Sequence, residues 1–158
     1  RVAPGLIRVD ADEATYPAHV ILRYEIERLL IEGEIEPGDI PALWDEKMLA
    51  LLGQDTRGNF KDGPLQDVHW PAGMFGYFPC YTLGAMYAAQ WFAAVRRATP
   101  DLDARVSKGE LSPVFDWLHD NIWLQASRWT TEELAIRASG ERLNPAHFRA
   151  HLEQRYLG

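Results

Sequence analysis

Two short segments concentrate the side chains that could do chemistry. Gly63-Pro64-Leu65-Gln66-Asp67-Val68-His69-Trp70 and Ile7-Arg8-Val9-Asp10-Ala11-Asp12 mix polar, charged and aromatic residues outside any simple amphipathic period. His69 stands just before an aromatic run, Phe75, Tyr77, Phe78 and Tyr81. Imidazole and phenol groups together can donate hydrogen bonds to an oxyanion, the charge that develops when a peptide carbonyl is attacked. The same residues equally suit a hydrogen-bonded structural histidine beside a core tryptophan. Arg8 also has two readings. Its planar guanidinium could clamp a carboxylate through paired hydrogen bonds, or it could form a surface ion pair with Asp10 or Asp12, worth little.

The other histidines are weaker candidates. His147-Phe148-Arg149-Ala150-His151 places two imidazoles one helical turn apart, a spacing that can reach one metal ion. A zinc peptidase also wants glutamate at the second position as general base, and here that position is Phe148. With Arg149, Glu153, Gln154 and Arg155 around them, these two read as surface histidines. His19 and His119 stand alone on helices and read as packing or surface residues. Cys80 is the only cysteine, so no internal disulfide and no multi-cysteine zinc site can form; it reads as a small buried apolar side chain.

Nearly every long segment that must position these residues reads as helix. Residues 12–32 carry Val20, Ile21, Tyr24, Ile26, Leu29 and Leu30 as a wide apolar stripe, with Gly33 as the stop. Asp39 and Pro41 open a second helix that runs to Gly53. Residues 54–73 are punctuated by Gly58, Gly63, Pro64, Pro71 and Gly73 and read as a long loop, which in a compact chain is often functional. Residues 74–98 read as a mostly buried helix that Pro79 should kink or delay. Helices near 101–107, 112–127, 131–138 and 145–156 follow, two of them announced by Thr130-Thr131-Glu132-Glu133 and Asn144-Pro145. The expectation is an all-α fold forming one unit over 1–158.

The bulk properties exclude some classes. A net charge of −7 argues against a nucleic-acid binder, which needs a basic face for phosphates. No stretch approaches the ~20 apolar residues of a membrane span. Hydrophobic residues at 47% are enough for a real core in a chain of 158 residues. The chain begins at Arg1 rather than Met, and it reads as a piece of a longer protein.

Taken together, the segments resemble a known family. Ile7–Asp12 resembles the IRxxAD element of the Taq-type zinc metallocarboxypeptidases, followed by Glu13, Thr15, Tyr16 and His19 much as in relatives. Gly63–Trp70 matches every fixed position of that family's GxxQDxHW, and Gly76-Tyr77-Phe78-Pro79-Cys80-Tyr81-Thr82-Leu83-Gly84 is similar to its GYFPTYTLG. The likeness continues through Thr131–Leu134, Gly140-Glu141 and Leu143-Asn144-Pro145. It departs at Asn121–Ala126, which lacks the histidines and a glycine common there in relatives, and at Cys80, where threonine is frequent.

The resemblance implies a helical, cleft-containing peptidase and homodimers of much longer chains. It implies zinc held by the two histidines of an HExxH helix and a downstream glutamate, with the HExxH glutamate as general base. No HExxH occurs in this chain, so the resemblance places those ligands before Arg1 and assigns none here. It implies that Arg8 holds the C-terminal carboxylate of a peptide substrate, which would make the enzyme an exopeptidase. It also implies that His69 lies beside the catalytic centre and that Tyr77 or Tyr81 stabilises the tetrahedral intermediate. Gln66 and Asp67 then brace the loop and orient His69. The resulting expectation is the C-terminal, substrate-binding part of a cytoplasmic zinc metallocarboxypeptidase, inactive by itself. The competing expectation is a helical module that binds peptides or a partner chain without catalysis.

Overall fold

The computed structural model describes all 158 residues, Arg1–Gly158. It is all-α, with no β-strand. Seven α-helices follow in order: α1 Tyr16–Glu32, α2 Ile40–Leu52, α3 Pro79–Ala98, α4 Leu102–Val106, α5 Ser112–Asn121, α6 Thr131–Ser139 and α7 Ala146–Tyr156. Short 3-10 turns occupy Arg8–Asp10, Pro37–Asp39 and Trp123–Gln125. None of the helices is long and apolar enough to cross a membrane. Contacts group the chain into two compact units, Arg1–Leu83 and Gly84–Gly158.

In the first unit α1 packs on α2 around Leu22, Ile26, Trp44, Met48 and Leu52. Gly33 and Gly53 end the two helices in left-handed backbone, φ 72° and 66°, as their sequence positions predict. The buried face of α1 differs from the predicted stripe. Ile21 and Tyr24 are exposed, whereas His19, Arg23 and Glu27, spaced four residues apart, are buried beside Leu22 and Ile26. The reason for two of them is that Arg23 and Glu27 hold polar groups of the loop that follows α2, so this face carries hydrogen-bonding side chains where a simple core would carry apolar ones. Asp39 also differs. Its side chain caps no backbone group of α2 and instead accepts from the Glu36 N–H at 2.9 Å, closing the preceding 3-10 turn. Asp12 starts α1, accepting from the N–H groups of Ala14 and Thr15.

The third helix starts at Pro79, so residues 74–78 remain outside it. Proline at the first helical position costs nothing, because that N–H has no partner in any helix. The helix is less buried than expected: only Gln90, Ala94 and Val95 are fully covered. Gly84, Ala88 and Phe92, at four-residue spacing, are exposed, and Cys80 is exposed rather than buried.

In the second unit the buried Gln90 side chain ties down the α6–α7 connection. Its amide donates to Ser139 Oγ at 2.7 Å and to the Arg142 carbonyl at 3.0 Å, and its oxygen accepts from the Asn144 N–H at 2.8 Å. A reciprocal Thr130–Glu133 box caps α6, as its sequence signals. The predicted helix over 112–127 is shorter: α5 stops at Asn121 and a 3-10 turn follows. Ala126 then adopts φ 46°, ψ −127°, the only non-glycine residue with positive φ. This conformation crowds a Cβ and costs about 1–3 kcal/mol. The strain falls in the stretch that departs from the family pattern by lacking a glycine. Ala126→Gly is therefore expected to raise the thermal unfolding midpoint by about 2–4 °C. An unchanged or lower midpoint would show that Ala126 carries no strain.

Candidate active-site wall

The two segments of interest, far apart in sequence, meet at one carboxylate in the first unit. Asp67 Oδ1 accepts from Arg8 Nη2 at 2.7 Å and Nε at 3.1 Å. Asp67 Oδ2 accepts from Arg23 Nε at 2.6 Å. A single carboxylate thus bridges two guanidiniums, one from the Arg8–Asp10 turn and one from the buried face of α1. The ion pair of Arg8 is with Asp67 and not with Asp10 or Asp12.

Backbone contacts fix the loop in the same place. Gln66 Oε1 accepts from the Arg8 N–H at 2.9 Å, while its amide donates to the carbonyls of Leu6, Asp62 and Gly63. One side chain therefore staples the N-terminal segment to the loop. Gly63 is required there, since a Cβ would lie 2.5 Å from the Asn59 carbonyl oxygen. Glu27 anchors the far end of the loop, accepting from Trp70 Nε1 at 2.8 Å and from the Gly76 N–H. Gly76 has φ 77°, a conformation that suits glycine.

His69 is buried, and its Nε2 lies 2.9 Å from the Tyr81 hydroxyl. Its Nδ1 faces Asp67 Oδ1 at 3.8 Å. The ring stacks on Phe78 at 4.3 Å between centroids and touches Tyr77 and Tyr81, each at 5.7 Å. Tyr77 is 45% exposed and is the most open phenol of the group. Arg8 lies over the Tyr81 ring at 4.8 Å and donates from Nη1 to the Tyr16 hydroxyl at 2.7 Å. Arg23 lies over Trp44 at 4.5 Å and faces Phe78 at 5.5 Å. Cations over aromatic faces are held by the ring quadrupole, so both arginines are oriented from two directions.

The electrostatics follow from burial and from Asp67. Burial works to raise the Asp67 pKa, but the Arg8 hydrogen bonds and the Arg23 charge outweigh it and hold the carboxyl below its usual range. Burial works to lower the Arg8 pKa, and Asp67 reverses it, so the group is raised. Arg23 is more deeply enclosed; there burial wins over Asp67 and lowers the pKa to about 10, still cationic at neutral pH. Burial also lowers His69, against the pull of Asp67 and with the push of Arg8, so the imidazole is neutral at pH 7. His19 is lowered to about 4 by burial and then by Arg23 and Arg8.

The structure thus brings together Arg8, Gln66, Asp67, His69, Tyr77 and Tyr81, every residue singled out by sequence. It adds Arg23 and Glu27, which periodicity alone does not mark as special, and sets Phe78 of the aromatic run against the His69 ring. In the HFRAH pair, His147 Nε2 lies 2.7 Å from Glu141 Oε1. No three His, Cys, Asp or Glu side chains are arranged to hold a metal ion. His69 Nε2 faces a phenol and Asp67 is shared by two arginines, so both side chains are already engaged.

Comparisons with known proteins agree with the motifs. Thermostable carboxypeptidase 1 of Thermus thermophilus is 44% identical over 155 residues, covering 98% of this chain and 30% of that protein. The structure of Trypanosoma cruzi metallocarboxypeptidase 1 superposes with a TM-score of 0.96 at 54% identity, covering 100% of this chain and 33% of that one. The crystal structure of the M32 carboxypeptidase from Deinococcus radiodurans gives a TM-score of 0.93 at 38% identity, over 98% of this chain and 31% of that one. The chain therefore spans about a third of the length of these relatives. The pattern of one family, carboxypeptidase Taq (M32) metallopeptidase, matches residues 1–156. With that match over nearly the whole chain, the protein belongs to the carboxypeptidase Taq (M32) metallopeptidase family.

Proposed function

We propose that this chain is the substrate-side, C-terminal third of a metallocarboxypeptidase that removes single residues from the free C-terminus of peptides. The observation that carries the reading is the convergence of Arg8, Asp67, His69 and Tyr81 from three separate motifs into one hydrogen-bonded wall. Its metal, zinc in this reading, polarises a water and the scissile carbonyl when bound. In this reading the ligands for that metal belong to the remainder of the protein, in keeping with the lack of an HExxH in these 158 residues. The same reading makes the whole protein a homodimer in the cytoplasm, a setting compatible with a lone cysteine.

The residues of this chain bind and orient. Asp67 and Tyr16 engage three of the five N–H groups of Arg8, which leaves two donors for the terminal carboxylate of a peptide. A guanidinium held rigid in this way loses little freedom on binding, which favours affinity. Recognition of that carboxylate sets the cleavage position, because only the last residue of a peptide offers it. His69, neutral and fixed by Tyr81 and Phe78, stands beside Tyr77 to meet the charge that grows on the carbonyl oxygen. His69 Nε2 lies against the Tyr81 hydroxyl, and the open phenol of the group is that of Tyr77.

The test uses the whole enzyme and a blocked dipeptide with a free C-terminus. Arg8→Met is expected to lower kcat/KM about a hundredfold, the effect of leaving a carboxylate without its charged partner. An amidated peptide, already a poor substrate, should be cleaved equally by wild type and variant. Equal loss on both peptides would place Arg8 outside carboxylate recognition. The isolated 158-residue chain is expected to cleave neither peptide. Hydrolysis by that chain, abolished by a chelator, would overturn the assignment of the metal to the rest of the protein.

A further inference from the structure

Arg23 stands at full burial on α1, yet it holds the same carboxylate as Arg8. A buried cation at this depth is costly to keep unless it is paired and hydrogen-bonded. Arg23 offsets part of that cost with Asp67 at 2.6 Å, the His19 carbonyl at 2.7 Å and the Trp44 ring at 4.5 Å, while its Nη2 has no hydrogen-bond partner. These contacts would stabilise the fold equally if Arg23 had a carboxylate of its own. It shares one with Arg8 instead, and that sharing has an electrostatic consequence.

Arg8, Asp67 and Arg23 together carry two positive charges and one negative. A pair of Arg8 and Asp67 alone would be neutral, and a neutral ion pair attracts an anion weakly. Glu27, a buried carboxylate nearby, is committed to Trp70 Nε1 and the Gly76 N–H rather than to either arginine. Arg23 also fixes geometry. By taking Oδ2, it turns Oδ1 toward Arg8 and leaves that oxygen 3.8 Å from His69 Nδ1.

We propose that Arg23 is a positioning residue for substrate binding: by sharing Asp67 it keeps the Arg8–Asp67–Arg23 cluster net cationic and the Arg8 guanidinium aimed at the terminal carboxylate of the peptide. This inference rests on the proposed role of Arg8 in carboxylate recognition. It predicts that loss of the Arg23 charge weakens binding of the anionic peptide terminus more than it slows turnover.

Steady-state kinetics of the whole enzyme on a blocked dipeptide with a free C-terminus test it. Arg23→Gln and Arg23→Met are two neutral replacements, and either one that keeps wild-type near-ultraviolet circular dichroism decides. KM is expected to rise about tenfold with kcat within about threefold. Arg23→Lys, which restores the charge, is expected to bring KM back to within about threefold of wild type. A merely structural role would lower kcat through loss of folded enzyme, leave KM unchanged and show no rescue by lysine; that result would overturn the inference. Arg8→Met separates the two levels of the argument. If it raises KM and the neutral Arg23 variants do not, only the role of Arg23 fails. If Arg8→Met leaves KM unchanged, the carboxylate reading itself fails.

Discussion

The Asp67 carboxylate is the point on which the first unit depends. It joins the N-terminal turn, the long loop and the buried face of α1, three segments with no β-ladder or shared helix to hold them together. A buried carboxylate without partners would be expelled or protonated. Two arginines keep it ionised, and it in turn justifies their burial. The consequence is that none of the three segments can shift alone, because moving one leaves a charge unpaired in a low-dielectric interior at a cost of several kcal/mol.

This arrangement turns a loop into a rigid surface. Residues 54–78 hold almost no regular structure, and such segments are ordinarily mobile. Here Gln66 closes one end on the N-terminal segment, Glu27 closes the other on Trp70 and Gly76, and Asp67 pins the middle. His69 inherits its position from these anchors and from the Phe78 ring beneath it. Rigid placement of imidazole, phenol and guanidinium groups is what electrostatic preorganisation requires, and the aromatic floor supplies it without competing hydrogen bonds.

Much of this was legible in the sequence. Glycine stops at Gly33 and Gly53, the Thr130–Glu133 box and the late start at Pro79 all follow from local rules that tertiary contacts did not override. The dense polar motifs around Arg8 and His69 marked the site because they break the amphipathic period. Arg23 escaped for the opposite reason. It sits inside a regular helix beside apolar neighbours, where an arginine ordinarily faces water, and only the three-dimensional meeting with Asp67 reveals its burial. The exposure of α3 was also illegible, since its small and apolar residues read as core whether or not this stretch of chain supplies the surface to cover them.

The most direct measurement on the central claim is a double-mutant cycle between Arg8→Met and Asp67→Asn in the whole enzyme, read as kcat/KM on a peptide with a free C-terminus. If Asp67 and Arg8 act as one device, each single substitution is damaging and the double variant falls within about threefold of the worse single. If the two losses multiply, Asp67 serves the fold and Arg8 serves the substrate independently, and the account of a shared carboxylate at the heart of the site is wrong.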